Sequence, residues 1–149
     1  MKLFALILCL SFNAFAHDEG HGPSVKEGGL YGGILASVMK EDDLKHDHHK
    51  KAPVKFKAEL IRAQDGTLTL YFLTTDMKKH DLAGFEDEIT VKMEVKKAGK
   101  YSYVGEFKLT KKDHLFTGKL PAVRTRPFNL DMFPVVNKEK LFIGFSNLD

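Results

Sequence analysis

From Val54 onward, apolar and polar residues alternate with a period of two. Val54, Phe56, Ala58 and Leu60 alternate with Lys55, Lys57 and Glu59; after Asp65-Gly66, Leu68, Leu70 and Phe72 alternate with Thr67, Thr69 and Tyr71. A period of two sends successive side chains to opposite faces of a strand, and Asp-Gly between two such runs signals a tight turn, so the pair reads as a β-hairpin. Ile89, Val91, Met93 and Val95 are set in the same way against Thr90, Lys92, Glu94 and Lys96. Ala98-Gly99-Lys100 follows as a turn, and Tyr101, Tyr103, Phe107 and Leu109 then fall on one face, which predicts a second hairpin with one solvated side. Shorter strands are expected over 115–120, 128–136 and 140–146, the last two joined by a polar turn around Asn137 to Glu139. Leu30 to Met39 is the first apolar segment, and its Gly32-Gly33 pair favours a strand with a bulge or a close backbone approach over a helix. No window carries a convincing 3.6-residue period, and Thr75 to Phe85 reads as a loop with at most one helical turn. About eight closely spaced strands predict an all-β, antiparallel β-sandwich, immunoglobulin-like or similar.

The first residues follow a different pattern. Lys2 is followed by an apolar run from Leu3 to Phe12 and then by Ala14-Phe15-Ala16, the small-x-small signature of a cleavable signal peptide over residues 1–16. The run is too short to span a bilayer as a helix, and no later segment is comparable, so the mature chain is expected to carry no transmembrane segment and to be periplasmic or secreted. Cys9, the single cysteine, would leave with the signal. The mature protein would then lack disulfides and thiolate chemistry, and its stability would come from packing. Residues 17–28 combine glycine, proline and charge with almost no apolar content and are expected to be a flexible arm ahead of one domain at 29–149. Residues 40–53 interrupt that domain as a polar, histidine-rich loop.

Histidine placement brings in candidate chemistry. Of the 7 histidines, His17 and His21 lie in the arm, and His46, His48 and His49 lie in the loop Lys45-His46-Asp47-His48-His49-Lys50. Three imidazoles and a carboxylate so close together can converge on one borderline ion, with copper(II), zinc and nickel as the natural candidates. Cleavage after Ala16 would also make His17 the first residue, offering its α-amine and ring nitrogen together as a chelate suited to copper(II). His80 and His114, beside Asp81 and Asp113 near expected turns, read as ordinary surface histidines.

Other classes are poorly supported. The 23 basic side chains lose Lys2 with the signal and face 20 acidic ones, a balance unlike that of a dedicated nucleic-acid binder. No Gly-x-Ser-x-Gly elbow, phosphate-cradling loop or His-Glu-x-x-His helix occurs, so a non-enzyme without an organic cofactor is expected. Lysines 92, 96, 97, 100, 108, 111 and 112 gather around the second hairpin, either as a solvated edge or as a basic face toward anionic lipid or an acidic partner.

Leu30-Tyr31-Gly32-Gly33, Phe56 to Ile61, Asp65 to Phe72 and the alternating run from Ile89 to Val95 resemble a group of small bacterial periplasmic proteins associated with copper and heavy-metal handling, some linked to efflux adaptors. The similarity covers residues 29–96. In that group a histidine precedes the glycine pair and another lies two residues before the strand's glutamate; here Tyr31 and Lys57 occupy those places. Only Glu59 carries over as a candidate ligand, and alone it reads as a surface residue. The leading expectation is a periplasmic, non-enzymatic copper- or zinc-binding protein of metal homeostasis using His17, His21, His46, His48 and His49, with an envelope or efflux protein as a further partner. The alternative is an envelope interaction module without a specific metal, with Arg124 to Pro134 as its contact surface.

Overall fold

The computed structural model describes residues 26–44, 52–122 and 125–149. The expected signal peptide, most of the expected arm, and His17, His21, His46, His48 and His49 lie outside them. The described strands are β1 (Lys26–Glu27), β2 (Ile34–Lys40), β3 (Phe56–Arg62), β4 (Thr67–Leu73), β5 (Glu88–Lys97), β6 (Lys100–Lys112), β7 (Leu115–Lys119), β8 (Phe128–Phe133), β9 (Val135–Val136) and β10 (Glu139–Leu148). A 3₁₀ turn at Asp42–Leu44 follows β2. No described helix is long and apolar enough to cross a membrane.

All strand pairings are antiparallel, as expected, but the sheet closes on itself. Neighbours run β2-β3-β4-β7-β6-β5-β8-β10, and β10 returns to β2 through Leu141 opposite Lys40 and Phe142 opposite Met39. The architecture is therefore an eight-stranded barrel rather than a sandwich, with β1 and β9 as short additions to β2 and β10. Alternating hydrophobicity looks the same in both architectures, because it reports a strand's buried face and not its neighbours. Lys40 and Lys55 both pair with Glu139 where the barrel closes, the Lys40 contact being 2.5 Å.

The inward positions are those the alternation marked. Ala58 and Leu60 of β3, Leu68, Leu70 and Phe72 of β4, Ile89, Val91 and Val95 of β5, and Leu141, Ile143 and Phe145 of β10 are buried. Phe72, Phe116, Phe128 and Phe145 are among the largest fully buried side chains, each contributing about 2–3 kcal/mol of transfer free energy. An eight-stranded barrel is just wide enough to be filled by such side chains. Polar chemistry therefore belongs to the barrel's ends and outer wall. Phe128, Leu130 and Met132 also belong to this core, leaving Asn129, Asp131 and Phe133 as the outward residues of β8.

One expected face is corrected. In the β5–β6 ladder Met93 pairs with Gly105 but Glu94 pairs with Tyr103, leaving Val104 as a bulge residue. Phe107 and Leu109 stay on the inward side opposite Val91 and Ile89, whereas Tyr103 and Tyr101 sit beside Glu94 and Lys96 on the outer side. A single inserted residue reverses the facing of everything beyond it.

Candidate functional site

The long connection from β4 to β5 crosses one end of the barrel. Its first turn is closed by Thr74, whose N–H donates to the Lys78 carbonyl at 2.7 Å and whose hydroxyl donates to Asp76 at 2.5 Å. Leu73 then bridges to Lys79, and the His80 N–H donates to the Phe72 carbonyl at 2.9 Å. Leu82 and Phe85 bury themselves in the barrel mouth. From β6, the Lys111 ammonium donates to the Leu82 and Phe85 carbonyls at 3.1 and 3.2 Å. Gly84 packs so tightly that a Cβ would lie 2.3 Å from the Asn137 Oδ1, and its positive φ of 80° independently favours glycine.

This crossing brings residues 79–83 alongside the β6–β7 turn and encloses a cleft of about 470 Å³ lined by His80, Asp81, Lys111, Asp113 and His114, among others. The His80 ring is held by Phe56 and Phe85, with centroid separations of 4.7 and 5.9 Å. Its Nδ1 lies 2.5 Å from the Asp81 carbonyl oxygen. A carbonyl only accepts, so we assign the proton to Nδ1, which leaves the Nε2 lone pair available. This is the arrangement by which proteins orient a metal-ligating histidine. His114 is exposed on the other side of the cleft, its ring 6.3 Å from that of Tyr71. Two histidines expected to be unrelated surface residues thus share one cleft. Among the described residues, however, no group of three or more histidine, cysteine, aspartate or glutamate side chains is arranged to hold an ion.

The two expected histidine segments join the barrel at different places. The 45–51 run is bounded by Leu44 and Ala52, at the end that carries the cleft, and Phe56 just beyond it touches His80. The arm joins at Lys26, paired with Leu35 near the opposite end of β2. At about 3.3 Å per residue, the strand between these attachments spans on the order of 17 Å.

Glu59 is not the surface residue expected. It points outward from β3 but is fully buried beneath residues 29–33. Its Oε1 accepts from the N–H groups of Tyr31 at 2.8 Å and Gly33 at 2.6 Å, and its Oε2 from Tyr31 at 3.1 Å. Tyr31 stacks on Tyr71 of the neighbouring strand at 4.0 Å. A Cβ on Gly29 would lie 2.1 Å from the Glu59 carboxyl carbon, and one on Gly33 would lie 2.5 Å from the Leu60 carbonyl oxygen. The glycine-rich segment is therefore a strap fastened by a buried carboxylate, and Glu59 is engaged by backbone donors.

No family model, curated protein or solved structure matches this chain. The site therefore has to be read from its own geometry.

Proposed function

We propose that this protein is an extracytoplasmic, non-enzymatic binder of copper(II) or zinc, and that the cleft at the end of the barrel is where the ion is taken up. The observation that carries the reading is the His80 imidazole, oriented through Nδ1 by the Asp81 carbonyl and facing a cleft shared with His114. Two imidazoles fall short of the four ligands that a closed zinc site takes. The proposal assigns the remaining ligands to His46, His48 and His49, whose segment is bounded by residues at the same end of the barrel. His17 and His21 precede Lys26, which pairs with Leu35 near the other end of β2, and the reading of this cleft does not require them; a copper(II) chelate at a mature N-terminal His17 would be a second site.

Calorimetry on the chain beginning at His17 tests the reading. Zinc or copper(II) should bind more tightly than about 10 μM at pH 7.5, and both His80→Ala/His114→Ala and His46→Ala/His48→Ala/His49→Ala should weaken binding at least about tenfold. Binding should weaken from pH 7.5 to pH 5, because metal ions compete with protons for imidazole nitrogens. Affinity no tighter than about 10 μM, or loss confined to the 46–49 variant, would remove the cleft from the function.

A further inference from the structure

We propose that the opposite end of the barrel docks on an anionic lipid bilayer through the tip of the β5–β6 hairpin. The inference is independent of the metal reading. It begins with the seven lysines clustered around this hairpin, which the structure separates into two groups. Lys108 pairs with Glu88 at 2.5 Å, and Lys111 turns to the carbonyls that cap the barrel. Lys92 lies over the Phe133 ring at 4.9 Å and opposite Glu106 and Asp131, while Lys112 ends β6 beside the cleft. Lys96, Lys97 and Lys100 remain at the far tip, where Lys96 to Lys100 are all exposed. Lys96 contacts only the Tyr101 ring, at 5.7 Å, among the charged and aromatic contacts of the described residues.

Two features distinguish this tip from a solvated turn. From Val95 to Gly105 there is no acidic residue. The Val104 bulge also turns Tyr101 outward beside Lys96 and Tyr103 outward beside Glu94, leaving Tyr103 57% and Val104 43% exposed. Edge protection accounts for a lysine, but it does not account for an aromatic and a valine presented with it. Cations flanking exposed tyrosine and aliphatic side chains suit the headgroup layer, where the charge meets lipid phosphate and the ring sits at the apolar boundary. Arg126 adds another exposed cation, because the chain next to it is fastened to the hairpin by the Lys96 N–H donating to the Pro127 carbonyl at 3.2 Å. Of the described carboxylates near this end, Asp65 is taken up by Lys119 at 2.6 Å, Glu94 is half-buried opposite Tyr103, and Asp149 is exposed. Docked in this way, the protein would hold its cleft on the side away from the bilayer.

Co-sedimentation with vesicles tests the proposal on the chain beginning at His17. Vesicles of phosphatidylcholine with about 30 mol% phosphatidylglycerol should retain the protein, and phosphatidylcholine alone should not. Each lysine near such a surface strengthens partitioning about fivefold, so Lys96→Gln/Lys97→Gln/Lys100→Gln should weaken it about 100-fold. Tyr103→Ser should weaken binding severalfold at constant charge. The control Lys112→Gln/Lys138→Gln/Lys140→Gln removes equal charge at the cleft end and should leave binding nearly unchanged. Absence of binding to anionic vesicles, or equal losses in the two triple variants, would overturn the assignment.

Discussion

Glu59 points away from the barrel interior yet is fully buried, because a segment 26 to 28 residues earlier folds across it and donates two backbone N–H groups to its carboxylate. Replacing Glu59 with alanine leaves both donors buried without an acceptor and should cost about 3 kcal/mol; glutamine, which keeps one carbonyl oxygen, should cost about half as much. Urea denaturation measures both, and a change below about 0.5 kcal/mol for Glu59→Ala would show that the strap does not depend on the carboxylate. Asp131, on the outer wall between β5 and β10, makes the opposite case. Partial burial, reinforced by Glu94 and opposed by Lys92, pushes its carboxyl up to about 6. A folded-state value raised above the unfolded one means that ionised Asp131 opposes folding. The penalty is absent below about pH 4, grows between about pH 4 and pH 6, and is complete above that. After allowance for solvent screening, Asp131→Asn should stabilise the protein by about 1 kcal/mol at pH 8 and by almost nothing at pH 4. Thermal melts at the two pH values test this, and equal gains at both would exclude the ionisation as the cause.

Among the elements, the two central hairpins were legible because their alternation is long and their turns have a chemical signature in Asp65-Gly66 and Ala98-Gly99. The bulge within the second was not. Tyr101, Tyr103, Phe107 and Leu109 keep one parity along the chain, so a regular strand would put them on one face. The ladder instead skips Val104. Deleting Val104 should therefore force either the tyrosines inward or the turn out of register, at a cost of about 1–3 kcal/mol. Wild-type stability in the deletion variant, with an unchanged near-ultraviolet tyrosine spectrum, would show that the bulge has no structural role. The Thr75 to Phe85 connection was expected to be a loop. Its path over the barrel mouth follows from Leu82 and Phe85 entering the core and from Lys111 tying down their carbonyls, contacts that span some 26 to 29 residues.

At the scale of the whole molecule, strand content, antiparallel pairing and most inward positions followed from the sequence, because a period of two reports which face of each strand is buried, and burial is a local property of the pattern. Closure into a barrel did not follow. It depends on Met39 and Lys40 meeting Phe142 and Leu141, a pairing across about a hundred residues that no local pattern encodes. The candidate site divides in the same way. The histidine run at 46–49 is visible in composition alone, whereas the cleft needs His80 and His114, each of which looks unremarkable in its own neighbourhood. Only the crossing of the barrel end brings those two together, and only the strap over β3 turns an apparently exposed Glu59 into a buried anchor. Sequence periodicity determined the faces of the strands; the tertiary structure decided what covers those faces, because covering groups come from distant segments whose approach is set by the packing of the whole barrel.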